Sequence, residues 1–445
     1  MLNEQHQLIE LSPNIPSYQI DSSKNAIGID LGTEYCYAGQ YIHHDGKNYV
    51  KILKIGGNGR DKLWSGVAFE GKTIHVGEAA KYELSIRKQE KRPLNGAFRI
   101  REITGTKFEK VNKRSLDYNI ACDEIGRIAI VITDADPTKN GTLVPEEINN
   151  IFVQSIIQDL TTVYNFQPTN IIITQSDKMK EIDTVITYGI FKQANTNIDR
   201  VIKDCEAAIC AYGLAVPLNN YIIFYFGEAD SWATLVQNGR ITSHVRNGIC
   251  GLLMDTMNRQ LKGKEFAEKS KKLANTLGEM IPILAKSCGN EVDGIILAGS
   301  DIHRPMIQGT VAPWRNKFIV YDSIPTEKVI VVGATVISAK RLHDQIQNNP
   351  LDGVIREMAQ LSRNLSLYNR DTSSEVFQPP PTYESIVNTN RERAPTGTPP
   401  IELNSPREQM APQSPNWNIH DSTQAADSES QNEEDGRMVL EITRL

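Results

Sequence analysis

Cysteine is scarce and scattered in this sequence, and no two cysteines stand in a CxxC pair. The six cysteines are Cys36, Cys122, Cys205, Cys210, Cys250 and Cys288. Close pairs are typical of disulfide-stapled small domains and of cysteine zinc sites, so the sequence argues against both classes. Reduced thiols in the cytoplasm, or in the nucleus, are expected instead.

Long apolar runs and an excess of basic charge are missing as well. No stretch reaches the roughly 20 apolar residues of a transmembrane helix, and residues 1–19 lack the basic region and apolar core of a signal peptide. The formal net charge is −6 at pH 7, whereas a general nucleic-acid binder presents a basic face. The sequence therefore predicts no membrane span and no nucleic-acid partner.

The stretch IGIDLGTEYCYAG, residues 27–39, has the pattern of a strand, a tight turn and a second strand. Gly28 and Gly32 leave no side chains where a ligand could approach the backbone. Turn amides together with the Thr33 hydroxyl could cradle a phosphate, and Asp30 could hold a water on a metal ion. An ordinary hairpin with glycines at its bends explains the same residues.

The 445 residues suggest two or three units. The same strand, turn and strand pattern returns at YIIFYFGEADSWATLV, residues 221–236. Helices at 252–262 and 266–287, more strands and a closing helix follow it. We therefore predict an α/β protein with a first lobe at 25–215, a second lobe at 216–348 and a cleft between them. The polar residues 1–24 are predicted to be a flexible arm, and the Pro-, Ser-, Asn- and Glu-rich residues 349–445 a disordered tail.

Six segments in order resemble the nucleotide-binding domain of the heat shock protein 70 (DnaK-type) chaperones. They are residues 27–39, HVGEAAK at 75–81, GAFRIREITG at 96–105, VPEEI at 144–148, EAAICAYGL at 206–214 and IILAGSDIHRPMIQ at 295–308. The resemblance covers roughly residues 25–345. It implies the two-lobed actin-like ATPase (ribonuclease H-like) fold and ATP or ADP with Mg²⁺ as ligands.

The resemblance also implies a set of site residues. Asp30 and Arg101 occupy the family's catalytic positions, and Asp30 is the candidate metal-site residue. The nucleotide-binding positions are Gly28, Asp30, Gly32, Thr33, Glu34, Tyr35, Gly227, Glu228, Ala229, Asp230, Gly299, Ser300, Asp301 and His303.

Departures from the family pattern fall on these same positions. The second phosphate loop, Asp-Leu-Gly-Gly-Gly-Thr in the family, is YFGEAD at residues 225–230 here. Glu34 replaces a threonine, Arg101 stands at the catalytic lysine, and His303 stands at the adenine-stacking arginine. Between residues 251 and 295 the family's adenine-clasping subdomain has no counterpart. The family's substrate-binding domain and helical lid have none either.

Charge decides between the functions that the resemblance allows. A carboxylate about 4 Å from a phosphate oxygen costs on the order of 4 kcal/mol at an effective dielectric constant of ~20, and Glu34, Glu228 and Asp230 would all lie near the phosphates. We therefore predict a degenerate, pseudo-ATPase domain that acts as a binding or scaffold protein. Three alternatives stay open: acids that turn outward into water, a slow ATPase involved in protein folding, and a module regulated by a divalent cation.

Two short motifs predict protein partners for the tail. Pro380, Pro381 and Tyr383 form a PPxY pattern, which WW domains bind as a polyproline II segment. The chain ends with Thr443 and Leu445 spaced as in ligands of PDZ domains. An edge strand added to the protein's own sheet is the alternative for this last segment.

Overall fold

The structure is a computed structural model that describes residues 8–20, 24–56, 59–111, 116–133, 141–164, 170–176, 179–214, 219–228, 230–347 and 441–444. First-lobe elements, in chain order, are β1 (Leu8–Glu10), β2 (Ile27–Leu31), β3 (Tyr35–His44), β4 (Lys47–Leu53), β5 (Leu63–Trp64), β6 (Gly66–Glu70), β7 (Thr73–Val76), α1 (Glu78–Gln89), β8 (Gly96–Phe98), β9 (Ile120–Cys122), β10 (Ile128–Ile132), β11 (Gly141–Leu143), α2 (Pro145–Tyr164), β12 (Ile171–Gln175), α3 (Glu181–Gln193), β13 (Ile198–Lys203) and α4 (Asp204–Ala211). Second-lobe elements are β14 (Asn220–Phe226), β15 (Ser231–Gln237), β16 (Arg240–Asn247), α5 (Gly251–Gln260), α6 (Lys264–Gly278), α7 (Met280–Ser287), β17 (Gly294–Gly299), α8 (Arg304–Val311), β18 (Ile319–Tyr321), α9 (Val329–Gln347) and β19 (Glu441–Arg444).

Both lobes are built on a mixed sheet of the same design. The first-lobe sheet has the order β1-β4-β3-β2-β12-β13, with β5 added to β3, and the second-lobe sheet has the order β18-β17-β14-β15-β16-β19. In each, an antiparallel meander continues into parallel strands, at β2 with β12 and at β14 with β17. The central strands are almost uniformly apolar because they are buried on both faces. The predicted two-lobed α/β architecture is confirmed.

Two helices join the lobes. Helix α4 follows β13 directly and leads into the second lobe, and α9 returns to pack on β2 and β12. Their shared core includes Ile172 from the first-lobe sheet and Ile223 from the second-lobe sheet. Gly333 of α9 lies against the backbone of Ala207 of α4, so closely that a Cβ atom would collide with it. The cleft between the lobes therefore has a tightly packed base.

Between β16 and β17, the described elements are the three helices α5, α6 and α7. This agrees with the predicted shortening of the second lobe. The second predicted helix, 266–287, is wrong as a single element, since α6 ends at Gly278 and α7 starts at Met280. Pro282 explains the break: it has no N–H to donate to a carbonyl one turn back, and it lies in the first turn of α7, where none is needed. Among the described helices, none is both long and apolar enough to cross a membrane.

The N-terminal segment is not the flexible arm that we predicted, as far as the structure describes it. Strand β1 pairs antiparallel with β4, with Ile9 opposite Val50. Leu11 and Ile15 are buried in the core beneath α9. Their burial supplies the free energy that orders the segment. Residues 1–7 and 21–23 lie outside the described residues.

The C-terminal segment 441–444, at the end of the predicted tail 349–445, forms a strand. Strand β19 pairs antiparallel with β16, with Thr443 opposite His244 and Ile442 opposite Val245. The alternative of an added edge strand is therefore what the structure has, and the backbone that a PDZ domain would need is already paired. Leu445 and the PPxY residues Pro380, Pro381 and Tyr383 lie outside the described residues.

Deleting residues 441–445 is expected to remove protection from hydrogen exchange at those backbone amides of Ser243–Arg246 that face β19, while the amides that face β15 stay protected. These amides lie on the strand that β19 covers, and an unpaired edge exchanges faster than a paired one. Exchange measured by mass spectrometry checks this, with deletion of residues 411–415, which keeps β19, as the matched control. Equal protection in both deletions would contradict the pairing.

Candidate functional site

The candidate site is an open cleft of about 680 Å³ between the lobes. Three loops at the ends of buried strands form it: the turn after β2, the loop after β14 and the residues at the end of β17. Gly299 makes the last of these turns with a φ of 108°, a conformation that glycine adopts without strain. The start of α9 closes the remaining side.

Asp30 stands at the floor of the cleft, at the end of β2. The Thr174 hydroxyl of β12 donates a 3.0 Å hydrogen bond to its Oδ1. Burial raises the pKa of Asp30 to about 6, although the Thr174 hydrogen bond and the Arg101 charge both lower it. The sheet has thus placed a carboxylate where ionisation is costly, which is common at functional sites and rare elsewhere.

Glu34 lies on the first-lobe wall and does not turn freely into water. Its Oε1 accepts a 2.7 Å hydrogen bond from Nε1 of Trp64. Burial raises the pKa of Glu34, and the Glu228 carboxylate across the cleft raises it further. The neighbouring Tyr35 accepts a 2.7 Å hydrogen bond from Nζ of Lys81 at its hydroxyl.

Tyr225 stands where the second phosphate loop of the Hsp70 family has its aspartate. Its ring stacks on Trp232, with the ring centroids 4.8 Å apart and the planes 7° from parallel. Burial, with Asp30 the largest of several nearby charges, raises the pKa of Tyr225 well above its ordinary range. The residue therefore lines the cleft as a neutral phenol.

Glu228 and Asp230 each have a partner within the second lobe. The Ser300 hydroxyl donates to Oε1 of Glu228 at 2.7 Å, and Arg246 forms an ion pair with Asp230 at 2.6 Å. The first amides of α5 donate to the backbone carbonyls of Gly227 and Glu228. The positive end of that helix is thus already used by the protein's own backbone.

Arg101, at the family's catalytic-lysine position, does not line this cleft. Its guanidinium donates to the carbonyl of Leu31 and lies 3.2 Å from the sulfur of Met179. It faces a separate first-lobe cavity between α2 and α3. Its positive charge nevertheless lowers the pKa of Asp30.

The sequence analysis did not predict four residues that line the cleft: Tyr37, Lys62, Glu327 and Ile330. Glu327, just before α9, accepts hydrogen bonds from the Tyr37 hydroxyl at 2.9 Å and from Nζ of Lys62 at 3.3 Å. Next to it, Lys328 pairs with Asp61 across the same gap. These contacts join positions up to 290 residues apart, and no local pattern in the sequence signals them.

The other predicted site residues are distributed as follows. Gly32, Thr33, Tyr35, Gly227, Gly299 and Ser300 line the cleft. Gly28 does not, because its missing side chain makes room for the backbone of Thr335 in α9. Asp301 accepts from Thr326 at 3.2 Å and pairs with Arg304, while His303 packs edge-on against Phe226. Ala229 lies outside the described residues.

Comparison with known proteins agrees with this geometry. The family model described as Hsp70 protein matches residues 26–230. The chain is 26% identical over 254 residues to a chaperone protein dnaK of Cyanidium caldarium, covering 55% of this chain and 37% of that one. It is 25% identical over 269 residues to the chaperone protein HscA of Buchnera aphidicola, covering 58% and 47%. It is 23% identical over 278 residues to a ribosome-associated molecular chaperone of Zygosaccharomyces rouxii, covering 61% and 41%.

Two lobes with matching sheets, two helices that join them and glycine turns facing a common cleft define the actin-like ATPase class of fold. Within that class, residues 26–230 match the Hsp70 family model, and the relatives named above resemble the chain over its nucleotide-binding domain, at low identity. The chain spans about a third to a half of the length of the curated relatives given above. Domains of this family bind ATP or ADP with Mg²⁺.

Proposed function

We propose that this Hsp70-type domain is a pseudo-ATPase that acts as a binding or scaffold protein, with weak or no ATP hydrolysis. One observation carries the proposal: the cleft presents five carboxylates and one amine among its described lining residues, while the guanidinium of Arg101 faces away from it. The carboxylates belong to Asp30, Glu34, Glu228, Asp230 and Glu327, and the amine belongs to Lys62.

The lining is a poor match for a polyphosphate. Arg246 and Lys62 each already pair with one of the acids, so neither offers a full positive charge to an incoming anion. Each uncompensated carboxylate about 4 Å from a phosphate oxygen would cost on the order of 4 kcal/mol at an effective dielectric constant of ~20, less where water screens it. The repulsion from two or more such carboxylates would offset the free energy of micromolar binding, which is roughly 8 kcal/mol.

Contacts of the protein itself bridge the cleft, which suits a fixed binding surface better than a nucleotide-driven motor. Glu327 and Lys328 contact first-lobe side chains directly. Protein partners would bind the outer faces of the lobes, and a WW domain would bind the PPxY motif that contains Tyr383. These partners are part of the proposal and follow from the motif and the fold.

Removing the cleft acids tests the proposal. The triple variant Glu34→Thr, Glu228→Gly and Asp230→Thr is expected to bind ATP with Mg²⁺ at least about tenfold more tightly than the parent, a gain of roughly 1.4 kcal/mol or more. The reason is the loss of like charge beside the phosphates. Isothermal titration calorimetry measures the affinity, and phosphate release measures turnover.

A second triple variant controls for net charge. Glu109→Thr, Glu265→Gln and Glu268→Gln remove three exposed acids outside the cleft, and ATP affinity is expected to stay at the level of the parent. Low-micromolar ATP binding with turnover by the parent protein would overturn the scaffold proposal in favour of a slow ATPase. No binding by either parent or cleft variant at millimolar ATP would contradict the assignment of the three acids as the groups that exclude the nucleotide.

A further inference from the structure

Three side chains from separate elements meet at the second-lobe side of the cleft. Glu228 follows β14, Asp255 is on α5, and His303 precedes α8. One ligand atom from each, two carboxylate oxygens and an imidazole nitrogen, lie within 4.8 Å of one another. They are 27 or more positions apart in the sequence, so the fold and not a local motif brings them together.

His303 supplies the independent observation. Its Nε2 is buried and has no hydrogen-bond partner, and the side chain is 11% exposed. The nearest carboxylate oxygen, of Asp255, is 3.7 Å away, which is beyond hydrogen-bond distance. A buried polar atom left unpaired costs about 1–3 kcal/mol, so an unpaired imidazole nitrogen 3.7 Å from a carboxylate oxygen indicates a missing ligand with positive charge.

The surroundings hold Glu228 in place for such a ligand. Ser300 donates a 2.7 Å hydrogen bond to its Oε1, which leaves lone pairs on both oxygens for a cation. Glu34, on the opposite wall, is a further carboxyl group near enough to interact with Glu228. Ser300 is thus a positioning residue for Glu228, in the way that outer hydrogen bonds orient carboxylate ligands.

We propose that Glu228, Asp255 and His303 form a binding site for a divalent transition-metal ion, with Zn²⁺ as the ion that fits best. Imidazole with carboxylates suits Zn²⁺, whereas Mg²⁺ and Ca²⁺ prefer ligand sets made of oxygen alone. Three protein ligands leave one tetrahedral position for water. The site uses no cysteine, and it does not include Asp30.

The ligand atoms need at most a small movement to reach one ion. Two atoms bound at about 2.1 Å from one ion are at most about 4.2 Å apart, and here the three atoms all lie within 4.8 Å of one another. Asp255 can make this adjustment, because its side chain is 53% exposed and turns without disturbing the core. The same exposure gives the ion a path from solvent.

An ordinary, weak histidine–carboxylate pair is the competing explanation, and the chain offers a control for it. His44 and Asp45 form such a pair at 3.2 Å on the surface, 74% and 83% exposed. This pair lacks a third ligand among the described residues and has no buried nitrogen. A metal site at His303 therefore predicts a response to zinc that the pair at His44 does not give.

Calorimetry on the full chain, after removal of metals with a chelator, tests the proposal. The parent is expected to bind Zn²⁺ at one tight site, and MgCl₂ is expected to give no heat at that site. His303→Gln and Asp255→Asn are each expected to weaken the tight site by at least the roughly 10–100-fold seen when partners of metal ligands are lost. His44→Gln is expected to leave the tight site unchanged.

Cobalt gives a readout that depends on the ligands. Co²⁺ in the parent is expected to show visible absorption of a four-coordinate site, and His303→Gln is expected to remove it. Asp255 is exposed, so its variant folds even if that of His303 does not, and circular dichroism checks both. A zinc affinity that is equal in the parent, His303→Gln and Asp255→Asn proteins would overturn the proposal. The test uses no nucleotide, so its outcome is independent of the proposed function.

Discussion

Replacing Gly333 with alanine is expected to lower the free energy of unfolding by about 2–3 kcal/mol, although alanine normally stabilises a helix. In an open helix the change from glycine gains about 0.5–1 kcal/mol. At Gly333 the added Cβ would collide with the backbone of Ala207. Backbone cannot rotate away as a side chain can, so α4 and α9 would have to separate, and overpacking of this kind costs typically 1–3 kcal/mol and occasionally more.

Gly309 provides the matched control for this substitution. It lies in α8, is exposed, and a Cβ there would meet no atom within 4 Å. Gly309→Ala is expected to stabilise the protein by about 0.5–1 kcal/mol. Urea denaturation followed by circular dichroism measures both variants. If Gly333→Ala were as stable as the parent, the two crossing helices would not be packed as tightly as the structure has them.

The packing of α4 against α9 also affects the cleft. Both lobes share the core around α4 and α9, and α9 begins beside Glu327, which reaches across the cleft to Tyr37. A shift of α9 would therefore be felt at the contacts that bridge the cleft. Stability and the separation of the lobes are linked through this pair of helices.

Local sequence patterns predicted the elements whose signals are local. The strand, turn and strand predicted at residues 27–39 are found as β2 and β3, and the helix predicted at 252–262 is found as α5, Gly251–Gln260. The periodic apolar positions and the glycines that bound these segments are sufficient signals. The sequence also contains a signal for the break between α6 and α7, namely Pro282. The apolar positions continue at helical spacing on both sides of this proline, from Leu273 to Leu284, and so favoured a single helix.

Contacts between distant residues could not be predicted in this way. Strand β1 is three residues long and is held by pairing with β4 and by the burial of Leu11. The direction of Arg101 is set by the carbonyl of Leu31 and the sulfur of Met179. In both cases the partner is tens of residues away, so the residue type was known but its environment was not.

In the candidate site, too, the positions of residues could be predicted but their contacts with distant residues could not. Resemblance placed Glu34, Glu228 and Asp230 in the two loops that face the cleft, and the structure has them there. Their partners, Trp64, Ser300 and Arg246, were not predicted, because each comes from a different element. Those partners set the charge that the acids present to a ligand, which is why residue identity alone could not decide the function.

Asp30→Asn is expected to stabilise the protein at pH 7 by on the order of 2–3 kcal/mol. The pKa of Asp30 is about 6 in the folded protein against an ordinary value of 3.8, and one unit corresponds to about 1.4 kcal/mol. Between these values the folded state binds more protons than the unfolded state. Stability contributed by this residue therefore falls as the pH rises from about 4 to 6 and stays low above that range.

Asparagine removes the charge and keeps the acceptor for Thr174, so the variant should lack this pH dependence and its advantage should vanish near pH 4. Asp123→Asn is the control of opposite sign, because hydrogen bonds and an ion pair with Arg127 hold the pKa of Asp123 below its usual range. Its carboxylate favours the folded state above pH 4, and its loss should cost stability at pH 7. Urea titrations at pH 4, 5, 6 and 7 measure both slopes. A gain from Asp30→Asn that is the same at all four pH values would mean that packing, and not the buried charge, sets the cost of an aspartate at the floor of the cleft.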